Sequence, residues 1–307
     1  MQLSIIIPTY NRKQDLDVCL DSIFIQTKHP DEIIIVDDST NNEVENLIQK
    51  RQEQFKKIGI PLRYIRNTRK KSITISQNLG IKNSIGDLIL ILDSDVILYN
   101  NYIEEILKTY YENPGSIGVQ GYIHNTKQFN KLNVILRRIF YQSNLEKNKC
   151  RVLIPGGTTY PYKPTQIILC EWLSGCNSLF KREIFNEFQY DEKTRMEDNE
   201  LPYRIYKKYP GTLLLTPNAR LIHTVAKAGR PGKEGTYIKE IEHEYFFYKD
   251  IDQTIINRII FYWGCIGVLI FNYKNLNIKQ FISAHMDCLI HHKEIKNGNI
   301  DFFIGGY

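Results

Sequence analysis

The chain has 307 residues, 42% hydrophobic and 24% charged, enough apolar material for one large domain or two small ones. No low-complexity tract or fixed-period repeat runs through it, which excludes a disordered protein and a solenoid. The formal charge of +6 gathers at residues 63–71 and 204–208 and through the C-terminal third. It suits an anionic ligand or an anionic membrane surface; without zinc-finger spacing, an aromatic RNA-binding pair or a basic recognition helix, it argues against nucleic acid.

Residues 3–7 form an apolar run ended by Pro8, the pattern of a buried strand. A helix is predicted over 12–26, with Leu16, Cys19, Leu20 and Ile23 at helical spacing. A second buried strand at 32–36 stops at Asp37-Asp38-Ser39-Thr40. A helix over 43–55, a short strand at 62–65 and a helix over 73–83 lead to a third apolar run, 88–92, ended by Asp93-Ser94-Asp95. Strands alternating with helices predict a parallel sheet with crossover helices. Residues 125–163 are less regular, with loops at 155–157 and 161–164. Beyond them, 167–172 reads as a strand, 182–188 as a short helix, and 213–215 and 220–223 as two short strands. Residues 228–235 read as a mobile stretch able to act as a lid, and the chain past 236 is helical and aromatic. The six cysteines, with no CxxC pair, read as reduced thiols of a cytoplasmic protein. An N-terminus that enters a strand at once gives no sign of a cleaved signal peptide.

The polar residues cluster just past the strand ends, where ligands bind in an open α/β sheet. Residues 8–12, 37–38 and 93–95 are therefore expected to meet in one crevice. Asp93 and Asp95 can hold Mg²⁺ or Mn²⁺ through oxygen ligands, or be solvated turn acids. Asp37 and Asp38 can accept hydrogen bonds from a base or a ribose, or cap a helix with Ser39 or Thr40. Glu197 and Asp198 open an amphipathic helix whose dipole favours their ionised form; such a carboxylate can take a proton from a hydroxyl, or simply begin a helix. His223, a lone histidine at a strand end, is by itself more often structural, although imidazole is a common metal ligand.

In this order the segments SIIIPTYNR (4–12), IIVDDST (34–40), ISQNLGI (75–81), GDLILILDSDV (86–96), WLSGCNSLFKREIF (172–185) and EDNELPYRIYKKY (197–209) resemble the family 2 glycosyltransferases over about residues 3–225. The resemblance implies a GT-A fold, a Rossmann-like nucleotide-diphospho-sugar transferase, with a mainly helical C-terminal extension. It divides the chain into a catalytic domain, 1–235, with a nucleotide-sugar half (1–100) and an acceptor half (101–235), and an aromatic extension, 236–307. It implies that Asp38, with Asp37, contacts the nucleoside and that Pro8, Thr9 and Tyr10 line the base pocket, with Arg12, Asn78 and Ser94 also on the donor side. Asp95 would be the direct metal ligand, Asp93 would contact ribose or metal-bound water, and His223 would lie near metal or diphosphate. Asp198 would be the base, and Trp172, Gly175, Asn177 and Glu197 would border the acceptor. Relatives often carry Arg-Asn where this chain has Gln77-Asn78, so that arginine's contact is expected from Lys70, Lys71 or Arg230.

The implied reaction is an inverting transfer from a nucleotide-sugar, UDP-linked by preference, with GDP or dTDP as alternatives. The acceptor is a saccharide or lipid-linked hydroxyl. A synthase that loads polyprenyl phosphate and an inactive nucleotide-sugar-binding module are the rival readings; a nucleotidyltransferase would carry a Gly-rich basic signature that 4–12 lacks. The run 259–271, about 13 residues, falls short of the ~20 needed to cross a bilayer. Arg258, Lys274, Tyr262 and Trp263 around it suit a membrane interface on the cytoplasmic face; a buried helix or a homodimer contact is the alternative. Relatives with such an extension include rhamnosyltransferase-like polysaccharide enzymes.

Overall fold

The computed structural model describes residues 1–127, 130–143, 149–226, 228 and 232–304. In the first third, β1 (Leu3–Thr9), α1 (Lys13–Phe24), β2 (Glu32–Asp37), α2 (Glu43–Lys57), β3 (Leu62–Arg66), α3 (Ile73–Asn83) and β4 (Leu88–Leu92) alternate. The four strands pair in parallel in the order β3-β2-β1-β4. Every residue of β1, β2 and β4 is buried, which explains their unbroken apolar runs: successive side chains serve opposite faces, and both faces are covered. Ile5, Ile7, Ile33 and Ile35 pack with Leu16 and Leu20 of α1, while Ile6, Ile34, Val36 and Ile89 pack on the other side with Ile81 of α3. Each such side chain contributes about 1.5–3 kcal/mol over leaving it exposed. Gly80 lets α3 lie close on the sheet, since a Cβ there would come within 2.3 Å of Ile6 Cγ2.

The chain continues through β5 (Val96–Leu98), α4 (Tyr102–Glu112), β6 (Gly118–Ile123), α5 (Lys131–Ile139), β7 (Ile168–Leu169), β8 (Asn177–Lys181), α6 (Glu197–Lys208) and β9 (Leu213–His223). The described strands form one nine-stranded sheet, β3-β2-β1-β4-β8-β6-β9-β5, with β7 on β9. The sheet is mixed: β8 runs antiparallel to both β4 and β6, so the parallel arrangement expected from the sequence is limited here to the first four strands and the β6–β9 pair. The two short strands expected at 213–215 and 220–223 are a single strand. Its Pro217-Asn218 reads as a turn, but the pairing with β6 absorbs it as a register shift between Gln120 and Tyr122. Of 167–172 only Ile168–Leu169 makes a ladder, and the short helix at 182 is 3-10, Arg182–Asn186.

The extension holds α7 (Thr236–Asp250), α8 (Ile255–Asn272), α9 (Ile278–Ile290), α10 (His292–Lys296) and α11 (Asp301–Ile304). They share a core built on Phe246, Phe247, Phe261 and Phe281. The apolar run at 259–271 is the centre of a longer helix; with the turn after it, Ile255–Asn275 is long and apolar enough to cross a membrane by length and composition, and 22% of its most apolar window is buried. α7 docks beside α6 through ion pairs, Arg195 Nε to Glu242 Oε1 at 2.9 Å and Lys249 Nζ to Glu200 Oε1 at 2.7 Å.

Candidate active site

β4 ends at Leu92, and its neighbour β8 starts opposite at Asn177. The acids after β4 therefore emerge beside the 174–176 turn, with the Asp93 N–H donating to the Cys176 carbonyl at 3.2 Å. β5 pairs Val96 with His223, which carries the imidazole from the far end of β9 to the same point. His223 Nε2 lies 3.2 Å from Asp95 Oδ1 and 3.7 Å from Asp93 Oδ2. Asn125 fixes the His223 backbone, accepting from its N–H at 3.1 Å and donating to its carbonyl at 2.8 Å.

Asp95 is 1% exposed. Its Oδ2 accepts from the Ala226 N–H at 2.7 Å and lies 3.4 Å from Arg12 Nη1. Burial opposes its ionisation, but the His223 hydrogen bond and the nearby cations outweigh it and hold Asp95 down at about 2. For Asp93 the pull of His223 and Arg12 is outweighed: burial and then the Asp95 charge push it up to about 6. Burial disfavours a charged imidazole, yet the Asp95 hydrogen bond and the Asp93 charge drive His223 up to about 10. Two carboxylates this close call for a cation between them. The ligand atoms of Asp93, Asp95 and His223 all lie within 4.8 Å of one another, and two hard oxygen donors with an imidazole fit a divalent ion such as Mn²⁺ or Mg²⁺.

The second half of the site is the start of α6. Asp198 Oδ1 accepts from the Gly175 backbone N–H, which ties the carboxylate to the turn that also braces Asp93. The position admits glycine for want of space: a Cβ on residue 175 would lie 2.5 Å from Asp198 Oδ1 and 3.0 Å from Glu197 Cγ. Burial, then the Asp198 and Asp93 charges, raises Glu197 well above the usual carboxylate range. Asp198 therefore works against ionisation of Glu197, and its charge also raises Asp93.

Just past β2, Asp38 is half-buried, accepting from Ser76 Oγ at 2.9 Å and from Asn67 Nδ2 at 2.5 Å. Asp37 behaves differently from its neighbour. It is fully buried, and its oxygens accept from the Ser39 N–H at 2.8 Å and the Tyr64 hydroxyl at 2.9 Å, so the structure uses it to bind the strand-end turn. Pro8 and Thr9 are buried in β1. The Thr9 and Ser94 hydroxyls, at the ends of adjacent strands β1 and β4, have no hydrogen-bond partner among the described residues. Lys71 Nζ, on an exposed residue, sits 4.3 Å over the ring of half-buried Tyr10, a cation–π contact. Lys70 is exposed nearby, and Arg230 lies outside the described residues. Arg12 also donates to the Ala228 carbonyl at 2.6 and 2.9 Å, linking the first loop to the segment after β9.

Three of the expected site residues have their polar side-chain groups engaged within the protein. Asn78 spends its amide on Tyr190, donating to its carbonyl at 2.9 Å and accepting from its N–H at 3.1 Å; it positions the loop before α6. Asn177 is fully buried, its Oδ1 taking the Gly121 N–H at 2.7 Å. Trp172 is 7% exposed and donates its indole N–H to the Thr159 carbonyl at 3.0 Å, so it props a loop instead of opening a pocket wall. Sequence reasoning missed Glu192, which pairs with Arg69 and accepts from Asn78 Nδ2 at 3.2 Å, and Thr74, whose hydroxyl donates to the Thr194 carbonyl at 3.1 Å. Together they clamp the α3 region to the loop before α6, and no local pattern marks them.

The family model described as "Glycosyl transferase family 2" matches residues 4–188. Among curated proteins, an "Uncharacterized glycosyltransferase" of Haemophilus influenzae is 35% identical over 112 residues, covering 36% of this chain and 35% of that protein. The chain spans about a third or less of the length of the first curated relatives it matches. Among solved structures, residues 1–349 of Staphylococcus aureus TarS in complex with UDP-GlcNAc align with a TM-score of 0.59 at 14% identity, covering 92% of this chain and 79% of that one. The mannosyltransferase PcManGT of Pyrobaculum calidifontis, in complex with GDP-Man and Mn²⁺, aligns with a TM-score of 0.55 at 14% identity, over 94% of this chain and 80% of that one. At such identities these likenesses establish the fold.

Proposed function

Because the chain belongs to glycosyl transferase family 2, we propose that its crevice transfers a sugar from a nucleoside diphosphate donor to a hydroxyl of a saccharide, free or lipid-linked, with inversion at the anomeric carbon. The observation that carries this reading is the meeting of Asp93, Asp95 and His223 at the strand ends with Asp198, fixed by the Gly175 N–H, beside them. Asp38 with its Ser76 and Asn67 partners receives the nucleoside, and Lys71 and Arg12 bring positive charge to the diphosphate. A UDP-linked donor is preferred. A divalent ion held by Asp93, Asp95 and His223 would supply positive charge against the departing diphosphate.

Asp198 takes the proton of the acceptor hydroxyl as that oxygen bonds to the anomeric carbon. The bond from that carbon to the diphosphate breaks, and its electron pair leaves with the nucleoside diphosphate. The Gly175 N–H aims one Asp198 oxygen, and Glu197 borders the acceptor beside it. Replacing Asp198 with Asn keeps the size and removes the base. Turnover, followed as nucleoside diphosphate release, is expected to fall about 10²–10⁴-fold, with nucleotide affinity held within about threefold. Wild-type turnover in Asp198→Asn would remove the base from this reading.

A further inference from the structure

α5 turns its apolar stripe outward. Leu132, Ile135, Leu136 and Ile139 are 65%, 53%, 39% and 54% exposed; their spacing is that of one helical face, and no residue of this helix is buried. α8 does the same. Ile255, Ile259, Trp263, Ile266 and Ile270 follow one another at three- and four-residue steps, and all are exposed.

The stripes adjoin. Trp263, at the middle of the α8 stripe, donates its indole N–H to the Ile139 carbonyl at 2.7 Å and stacks on Phe140 with ring centroids 5.0 Å apart. Phe140 in turn fills the space left by Gly267, where a Cβ would fall 2.4 Å from the Phe140 Cβ. A continuous exposed apolar face of two helices is a surface meant to be covered.

Charge decides what covers it. The α5 segment carries Lys131, Arg137 and Arg138, and the α8 segment carries Arg258 and Lys274. No Asp or Glu occurs between Glu112 and Glu146 or between Asp252 and Asp287. A second copy of this chain would bring the same positive charge to a two-fold contact, at a cost in repulsion. An anionic lipid leaflet complements it, with the apolar stripe in the acyl boundary and the cations at the headgroups. α8 lies along such a surface and does not span it, because its opposite side is committed to protein: Phe261 and Cys265 enter the extension's core, and Gly264 abuts Pro155.

We infer that the joined face of α5 and α8 is a docking surface for an anionic lipid bilayer. This inference stands apart from the transfer reaction and is read without it. The full chain is floated with vesicles of phosphatidylcholine alone and of phosphatidylcholine mixed with phosphatidylglycerol. Binding is expected with the mixed vesicles, to weaken as salt is raised, and to fall by at least about tenfold in the Ile135→Asp, Ile259→Asp double variant. Both positions are exposed, so the variant's thermal midpoint and nucleotide affinity should match the wild type. Trp263 emission should shift to the blue on binding. Absence of binding to the anionic vesicles, or equal binding by the double variant, would overturn the inference. So would a wild-type dimer in sedimentation velocity that the same substitutions dissolve, since the face would then belong to a second copy, or retention in the membrane after alkaline carbonate extraction, since α8 would then span it.

Discussion

Gly175 and Asp198 share one small volume, and in the proposed reaction the placement of the base depends on what fills it. The Gly175 N–H donates to Asp198 Oδ1, and a Cβ in its place would lie 2.5 Å from that oxygen. An added methyl group leaves the N–H in place but takes the space that the carboxylate occupies. In Gly175→Ala the carboxylate must swing away, and a misplacement of about 1 Å costs on the order of 10²-fold in rate. Steady-state kinetics should show that loss in kcat with little change in donor KM; an unchanged kcat would mean that Asp198 does not need this anchor. The same scale explains why adjacent acids differ. Asp37 and Asp38 look alike in the sequence, but Asp37 points into the sheet, where the Ser39 N–H and the Tyr64 hydroxyl satisfy it, and Asp38 is half-exposed.

Among elements, the extension behaves as a brace for α6. Arg195 pairs with Glu242, and Lys249 lies 2.7 Å from Glu200, so the helix that presents Asp198 is held from behind by α7. Asp250, at the end of α7, is pushed up from an ordinary 3.8 to about 7 by burial and then by the Glu200 charge. The folded chain therefore holds this proton more tightly than the unfolded chain. Its contribution is most favourable below 3.8 and is lost as pH rises through about 7, where a charge is buried with Oδ2 unpartnered. Asp250→Asn should stabilise the protein by about 4 kcal/mol more near pH 8 than near pH 4, as read by urea unfolding at both pH values. A gain of equal size at both would show that burial of the charge is not the cause. Strands β1, β2 and β4 were legible because parallel strands covered on both faces are written as apolar runs. β6 and β8 were not. β6 reads GVQGYI, and its Gln120 is buried only because it accepts from the Ser174 N–H at 3.0 Å and donates to the Trp172 carbonyl at 3.2 Å, partners far along the chain. β8 is placed by β4 and β6 on either side and not by its own pattern. α5 shows the limit of periodicity: it declares an apolar face without saying what lies against it.

At the scale of the molecule, the sheet order gathers residues that are far apart in the chain. Arg12 follows β1, Asp93 and Asp95 follow β4, His223 ends β9, and the turn before β8 receives Asp198. The acids after the first strands were visible as punctuation at strand ends, so their convergence was expected. His223 was ambiguous, because its position beside Asp95 depends on β5 pairing with β9, a contact between distant segments. The clamp of Arg69 on Glu192 and of Asn78 on Tyr190 was invisible for the same reason. The proposed metal-assisted nucleoside diphosphate site at these strand ends is measured by calorimetry of UDP binding with and without Mn²⁺, on the wild type and on Asp95→Ala. Mn²⁺ is expected to tighten UDP binding to the wild type by about tenfold or more, and that effect is expected to vanish in Asp95→Ala. Failure of UDP, GDP and dTDP to bind under either condition, or an undiminished effect of Mn²⁺ in Asp95→Ala, would contradict it.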